Sequence, residues 1–83
     1  MKFTVVWLKS VHLELGEIWL AAADRHSITA ASDEIDRQLQ LDADHKGKPL
    51  SEGLRTFDVL PLRAVYSVDL ENRIVEVSRI RLL

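Results

Sequence analysis

The chain has 83 residues, 47% of them hydrophobic and 29% charged, with a formal net charge of −2. That balance excludes a disordered chain and gives bulk charge no part in nucleic-acid binding. It carries no cysteine, which excludes disulfides, thiolate metal sites and thiol nucleophiles.

The length points to one domain over residues 1–83. A domain this small without disulfide staples is expected in the cytoplasm. The longest apolar run, IWLAAA, is far too short to span a bilayer, so no membrane partner is expected. Charge is uneven along the chain. Residues 1–52 hold six cations against nine acids, whereas residues 53–83 hold five arginines against four acids.

In chain order, KFTVVWL (2–8) is rich in β-branched and aromatic residues and reads as a first strand. Ser10 is a candidate N-cap for a helix near 11–23. Val11, Leu15, Ile18, Trp19 and Ala22 follow helical spacing. Glu14 and Glu17 fall near the expected start, where the helix dipole favours acids. Gly16 costs such a helix about 1 kcal/mol relative to alanine, so close packing is expected there. ADRHS (23–27) is a polar link, and either Asp24 or Ser27 can cap a second helix near 27–41. In that helix Ile28, Ala31, Ile35 and Leu39 make a single apolar stripe, opposed by Asp33, Glu34, Asp36, Arg37 and Gln40. Residues 42–53 read as a loop.

Beyond Gly53 the period becomes two. LRTFDVL (54–60) and LRAVYSVDL (62–70) flank Pro61, and after a turn at 71–73 IVEVSRIRL (74–82) is the last strand. Short connections make these an antiparallel meander. The expected fold is α+β, an antiparallel sheet covered on one face by a helical hairpin, in the order β-α-α-β-β-β. The expected core holds Ile18, Trp19, Ile28, Ala31, Ile35, Leu39, Tyr66 and Val68. In the third strand Ala64, Tyr66 and Val68 share one face, while Arg63, Val65, Ser67 and Asp69 share the other. In the fourth, Val75, Val77, Arg79 and Arg81 alternate with Ile74, Glu76, Ser78 and Ile80.

If Arg63, Arg79 and Arg81 point away from the helices they meet on the open face, with Arg55 able to join from the second strand. Such a row would bind anions, RNA phosphate among them, through forked guanidinium donors. The plain alternative pairs the arginines with Asp58, Asp69 and Glu76 as ordinary solvated surface. Arginine stays protonated and is a poor proton shuttle. His12, His26 and His45 all fall earlier in the chain, and Tyr66 alternates into the core. The histidines lack metal-ligand spacing, and the glycines at 16, 47 and 53 are too scattered for a phosphate loop. No metal or cofactor is expected.

The order of elements, together with KFTVVWLKSVHLEL, IDRQLQLD, GLR (53–55), PLRAVYSVD (61–69) and IVEVSRIR (74–81), resembles the RelE/ParE superfamily of bacterial type II toxin–antitoxin toxins. Arg63 and Tyr66 stand where that family has an arginine–x–x–tyrosine strand. The resemblance implies a toxin held inactive by a cognate antitoxin. It implies inhibition of translation by ribosome-dependent mRNA cleavage (an mRNA interferase). Arg63 and Arg79 would be its catalytic residues, and Arg55, Arg63, Arg79 and Arg81 its RNA-binding set. Inhibition of DNA gyrase by binding alone, or binding of a protein partner only, are the alternatives the family allows. LRTFDV supplies Arg55 but no lysine pair.

Overall fold

The computed structural model describes residues 2–83, and Met1 lies outside the described residues. Strand β1 (Thr4–Trp7) leads into helix α1 (Lys9–Ala21) and helix α2 (Arg25–Asp42). A 3-10 turn (Ala43–His45) and a two-residue strand β2 (Lys48–Pro49) follow. Strands β3 (Leu54–Val59), β4 (Leu62–Asp69) and β5 (Ile74–Leu82) complete the chain.

The sheet has the order β1-β5-β4-β3-β2. β3, β4 and β5 form the expected antiparallel meander, β2 adds an edge strand antiparallel to β3 within the segment expected to be loop, and β1 pairs with β5 in parallel, Thr4 opposite Ile74 and Trp7 opposite Val77. The sheet is therefore mixed. The connection between these two parallel neighbours is long, running through both helices and then β2, β3 and β4. The helical hairpin covers one face, with α1 against β5 and α2 against β1, β3 and β4.

Strand pairing holds the chain extended through Leu8, whose N–H donates to the Val77 carbonyl at 3.2 Å. α1 therefore begins at Lys9 with Leu8 as its N-cap and no side-chain cap. Ser10, the expected cap, lies inside the first turn, and Glu14 and Glu17 sit in mid-helix. Nothing lies within 4 Å of a Cβ added at Gly16, so packing does not require that glycine. α2 is capped by Asp24, which accepts from the Ser27 N–H at 3.2 Å and from the Ser27 hydroxyl at 2.6 Å.

The core unites Ile28, Ala31, Ile35 and Leu39 with Leu62, Ala64, Tyr66, Val75, Val77 and Ile80, all buried. Ile18 and Val68 are half-buried against it. Trp19 is 38% exposed, contrary to the expected core. Its indole N–H donates to Thr29 Oγ1, and Arg25 stacks on its ring at 4.7 Å while donating to the last carbonyls of α1. Trp19 thus ties the two helices together at their shared end. Among the described residues no helix is long and apolar enough to cross a membrane.

Candidate anion-binding face

Strict alternation in β5 would put Arg79 and Arg81 on the same side as Val75 and Val77, which are buried under the helices. The chain avoids that with a register shift. Tyr66 pairs with Val77 and the adjacent Val65 with Arg79, leaving Ser78 as the extra residue of a β-bulge. Its hydroxyl donates to the Val65 carbonyl at 3.3 Å. Beyond the bulge, Ile80 turns into the core, and Arg79 and Arg81 turn to the open face.

Two cross-strand rows result. Asp58, Arg63 and Arg81 are successive partners across β3, β4 and β5. Lys48, Thr56, Val65 and Arg79 are partners across β2 to β5. Arg63, Arg79, Arg81, Thr56, Val65 and Leu54 line one open groove. The structure thus brings together Arg63, Arg79 and Arg81.

The three arginines are not equivalent. The Arg63 guanidinium donates to both oxygens of Asp58, at 2.7 and 2.9 Å. The Arg63 hydrogen bond, with Lys48 adding a smaller attraction, holds the Asp58 carboxyl below the usual carboxylate range. Ion pairs among the described residues are Arg37–Glu34, His45 with Asp42 and Asp44, and Arg63–Asp58. Arg79 and Arg81 belong to none of them and are exposed. Arg63 and Arg81 stand directly opposite, an unfavourable like-charge pair that an anion would relieve.

Arg55 is not part of this group. It pairs with Tyr66 on the helix-covered side, and its guanidinium donates to the carbonyls of Lys46 (2.9 Å) and Gly47 (3.3 Å). Parity explains the correction: Arg55 shares its face with Phe57 and Val59, both packed against the core. Lys48 is the cation that sequence reasoning missed, because 42–53 read as loop. β2 exists because Gly47, at φ +63°, lets the chain press against β3; a Cβ there would lie 1.9 Å from the Thr56 carbonyl oxygen.

No histidine joins the face. His12 and His26 lie on the helices and His45 on the turn after α2. That turn gathers Asp42, Asp44 and His45 with ligand-type atoms within 4.8 Å of one another. The Asp42 carboxylate, and then Asp44, raise the His45 imidazole above its ordinary value. The group is mostly solvent-exposed and is accounted for as an ion-pair cluster. The open face can therefore grip phosphate or carboxylate oxygens and stabilise added negative charge, but it offers no side chain suited to carrying protons near neutral pH.

No protein-family model and no curated protein matches the sequence. The backbone is similar to a chain of the toxin–antitoxin complex RelBE2 from Mycobacterium tuberculosis, with TM-score 0.82, 20% identity and coverage of 100% of both chains. It is also similar to a chain of the chromosomal ParDE system of P. aeruginosa, with TM-score 0.70, 18% identity and coverage of 99% of this chain and 97% of that one. A chain of the archaeal RelE–RelB complex from Pyrococcus horikoshii matches with TM-score 0.65, 16% identity, and coverage of 99% and 96%. The chain has the RelE/ParE-like fold.

Proposed function

We propose that this protein is the toxin of a type II toxin–antitoxin system and that its open sheet face binds RNA phosphate in the ribosomal decoding site. The observation that carries the proposal is the set of three arginines on one uncovered face, two of them without a carboxylate partner. Likeness to chains of RelBE and ParDE complexes over nearly the whole length supports the toxin assignment. In mRNA cleavage the 2′-oxygen attacks the neighbouring phosphorus and the bond to the 5′-oxygen breaks, leaving a cyclic phosphate and a 5′-hydroxyl. Arg63 and Arg79 would hold the non-bridging oxygens as charge builds there. The 2′-hydroxyl proton leaves to water, and the 5′-oxygen takes one from water. An antitoxin presenting acidic side chains to the same arginines would keep the protein inactive.

The lack of a histidine on this face favours a second reading, a toxin that blocks DNA gyrase by binding alone. One experiment separates the two. Purified protein is incubated with programmed ribosomes and the mRNA ends are mapped, alongside a gyrase supercoiling assay. New mRNA ends that disappear with Arg81→Ala, at unchanged circular dichroism, support cleavage. Intact mRNA with loss of supercoiling supports gyrase. Absence of both effects overturns the toxin assignment.

A further inference from the structure

We propose that Asp58 is a built-in competitor on the arginine face: its carboxylate occupies the donors of Arg63, so a phosphate group settles first on Arg79 and Arg81 and gains Arg63 only by displacing Asp58. This rests on the reading of the face as a phosphate site.

The geometry is that of a bound ligand. A carboxylate meets a guanidinium with two parallel bonds, at 2.7 and 2.9 Å, the same bidentate arrangement by which arginine takes a phosphate. The two residues are cross-strand partners beside the tight β3–β4 connection, where Val59 already pairs with Leu62, so the backbone presents Asp58 to Arg63 at a fixed spacing. Their side chains are 41% and 43% exposed, open enough for exchange. Asp58 also has somewhere to go. Lys48, on the neighbouring strand, lines the same depression as Asp58 and Arg63 and can take the carboxylate once it is released. Asp58, like any exposed aspartate, is ionised at neutral pH, and the Arg63 hydrogen bond favours that charged form further. Glu76 pairs with Ser67 across β4 and β5, and Asp69 pairs with Ile74 and accepts from Asn72, so neither of these acids has a place in the Arg63 row.

A double-mutant cycle tests this, using wild type, Asp58→Asn, Arg63→Ala and the double variant. Binding of a fluorescein-labelled short single-stranded RNA is followed by anisotropy at low ionic strength. Binding of inorganic phosphate is followed by backbone amide shifts of β4 and β5. Exposed ion pairs have modest strength, so Asp58→Asn should tighten binding about two- to fivefold. In the Arg63→Ala background the same change should give clearly less. Unchanged or weaker binding by Asp58→Asn, or an equal gain without Arg63, overturns the competitor role, the latter because bulk charge would explain it. If the cycle holds for phosphate while no variant binds RNA, Asp58 remains a competitor and the RNA reading falls. If neither anion binds any variant, both are overturned.

Discussion

Tyr66 joins the two layers of the molecule. Its ring is fully buried, and its hydroxyl proton is shared between the carbonyls of Ala43 (2.9 Å) and Lys46 (2.8 Å). It thereby fixes the segment that delivers Lys48 to the sheet edge. Tyr66→Phe should cost about 1–2 kcal/mol, because the Ala43 carbonyl is left in the interior without its donor while Lys46 keeps Arg55. Urea unfolding would measure the loss. Burial pushes the Tyr66 phenol above its ordinary value of 10.0, with Arg55 partly opposing. In the unfolded chain the phenol ionises first, so this stabilisation is complete below about pH 10 and is lost as the pH rises through the folded value. Urea midpoints collected from about pH 9 to about pH 11 should therefore fall more steeply for wild type than for Tyr66→Phe. The burial of Tyr66 was legible in the alternation Ala64, Tyr66, Val68. The place of Arg55 was equally legible in Phe57 and Val59. What misled was the pull of grouping like charges.

At the level of elements, β5 carries most of what distinguishes this face. The core residues Val75 and Val77 are two apart, but the next, Ile80, is three further on. That broken spacing is the sequence mark of the bulge, and a strict period-two reading of the strand passes over it. Removing Ser78 should restore plain alternation with every other β5 side chain still on its present face. The deletion variant should therefore unfold cooperatively, with stability lowered by about 1 kcal/mol for the lost hydroxyl bond. Loss of cooperative unfolding on deletion would mean that the bulge itself, and not merely its parity, is needed for the sheet. The helices were legible because their stripes are long. Their first residues were not, since the start of α1 is set by β1 pairing with a strand that lies at the other end of the sequence. β2 was hidden for a related reason: two residues carry no period, and only the close approach at Gly47 reveals them.

On the scale of the whole molecule, a net charge of −2 coexists with a cationic face, so any binding of RNA should be local and few in contacts. If Lys48, Arg63, Arg79 and Arg81 each meet a phosphate, log K should fall against log salt with a slope of about −2 to −3 for single-stranded RNA. A slope near zero in a salt titration of the anisotropy would contradict phosphate contact. The mixed sheet was the least legible feature, because no local pattern announces that a first strand will lie beside a last one. That pairing has a consequence for the order of events during synthesis. β1 emerges first, yet its neighbour in the sheet is made last, and long-range pairing of this kind is slow to form. Until β5 has been made, β1 has no partner and the nascent chain presents an unclosed sheet edge, the state most prone to misassociation. The strand that closes the sheet is also the one that bears Arg79 and Arg81. A chain that lacks β5 would therefore lose in one step both the strand that links β1 to β4 and two of the three arginines of the open face.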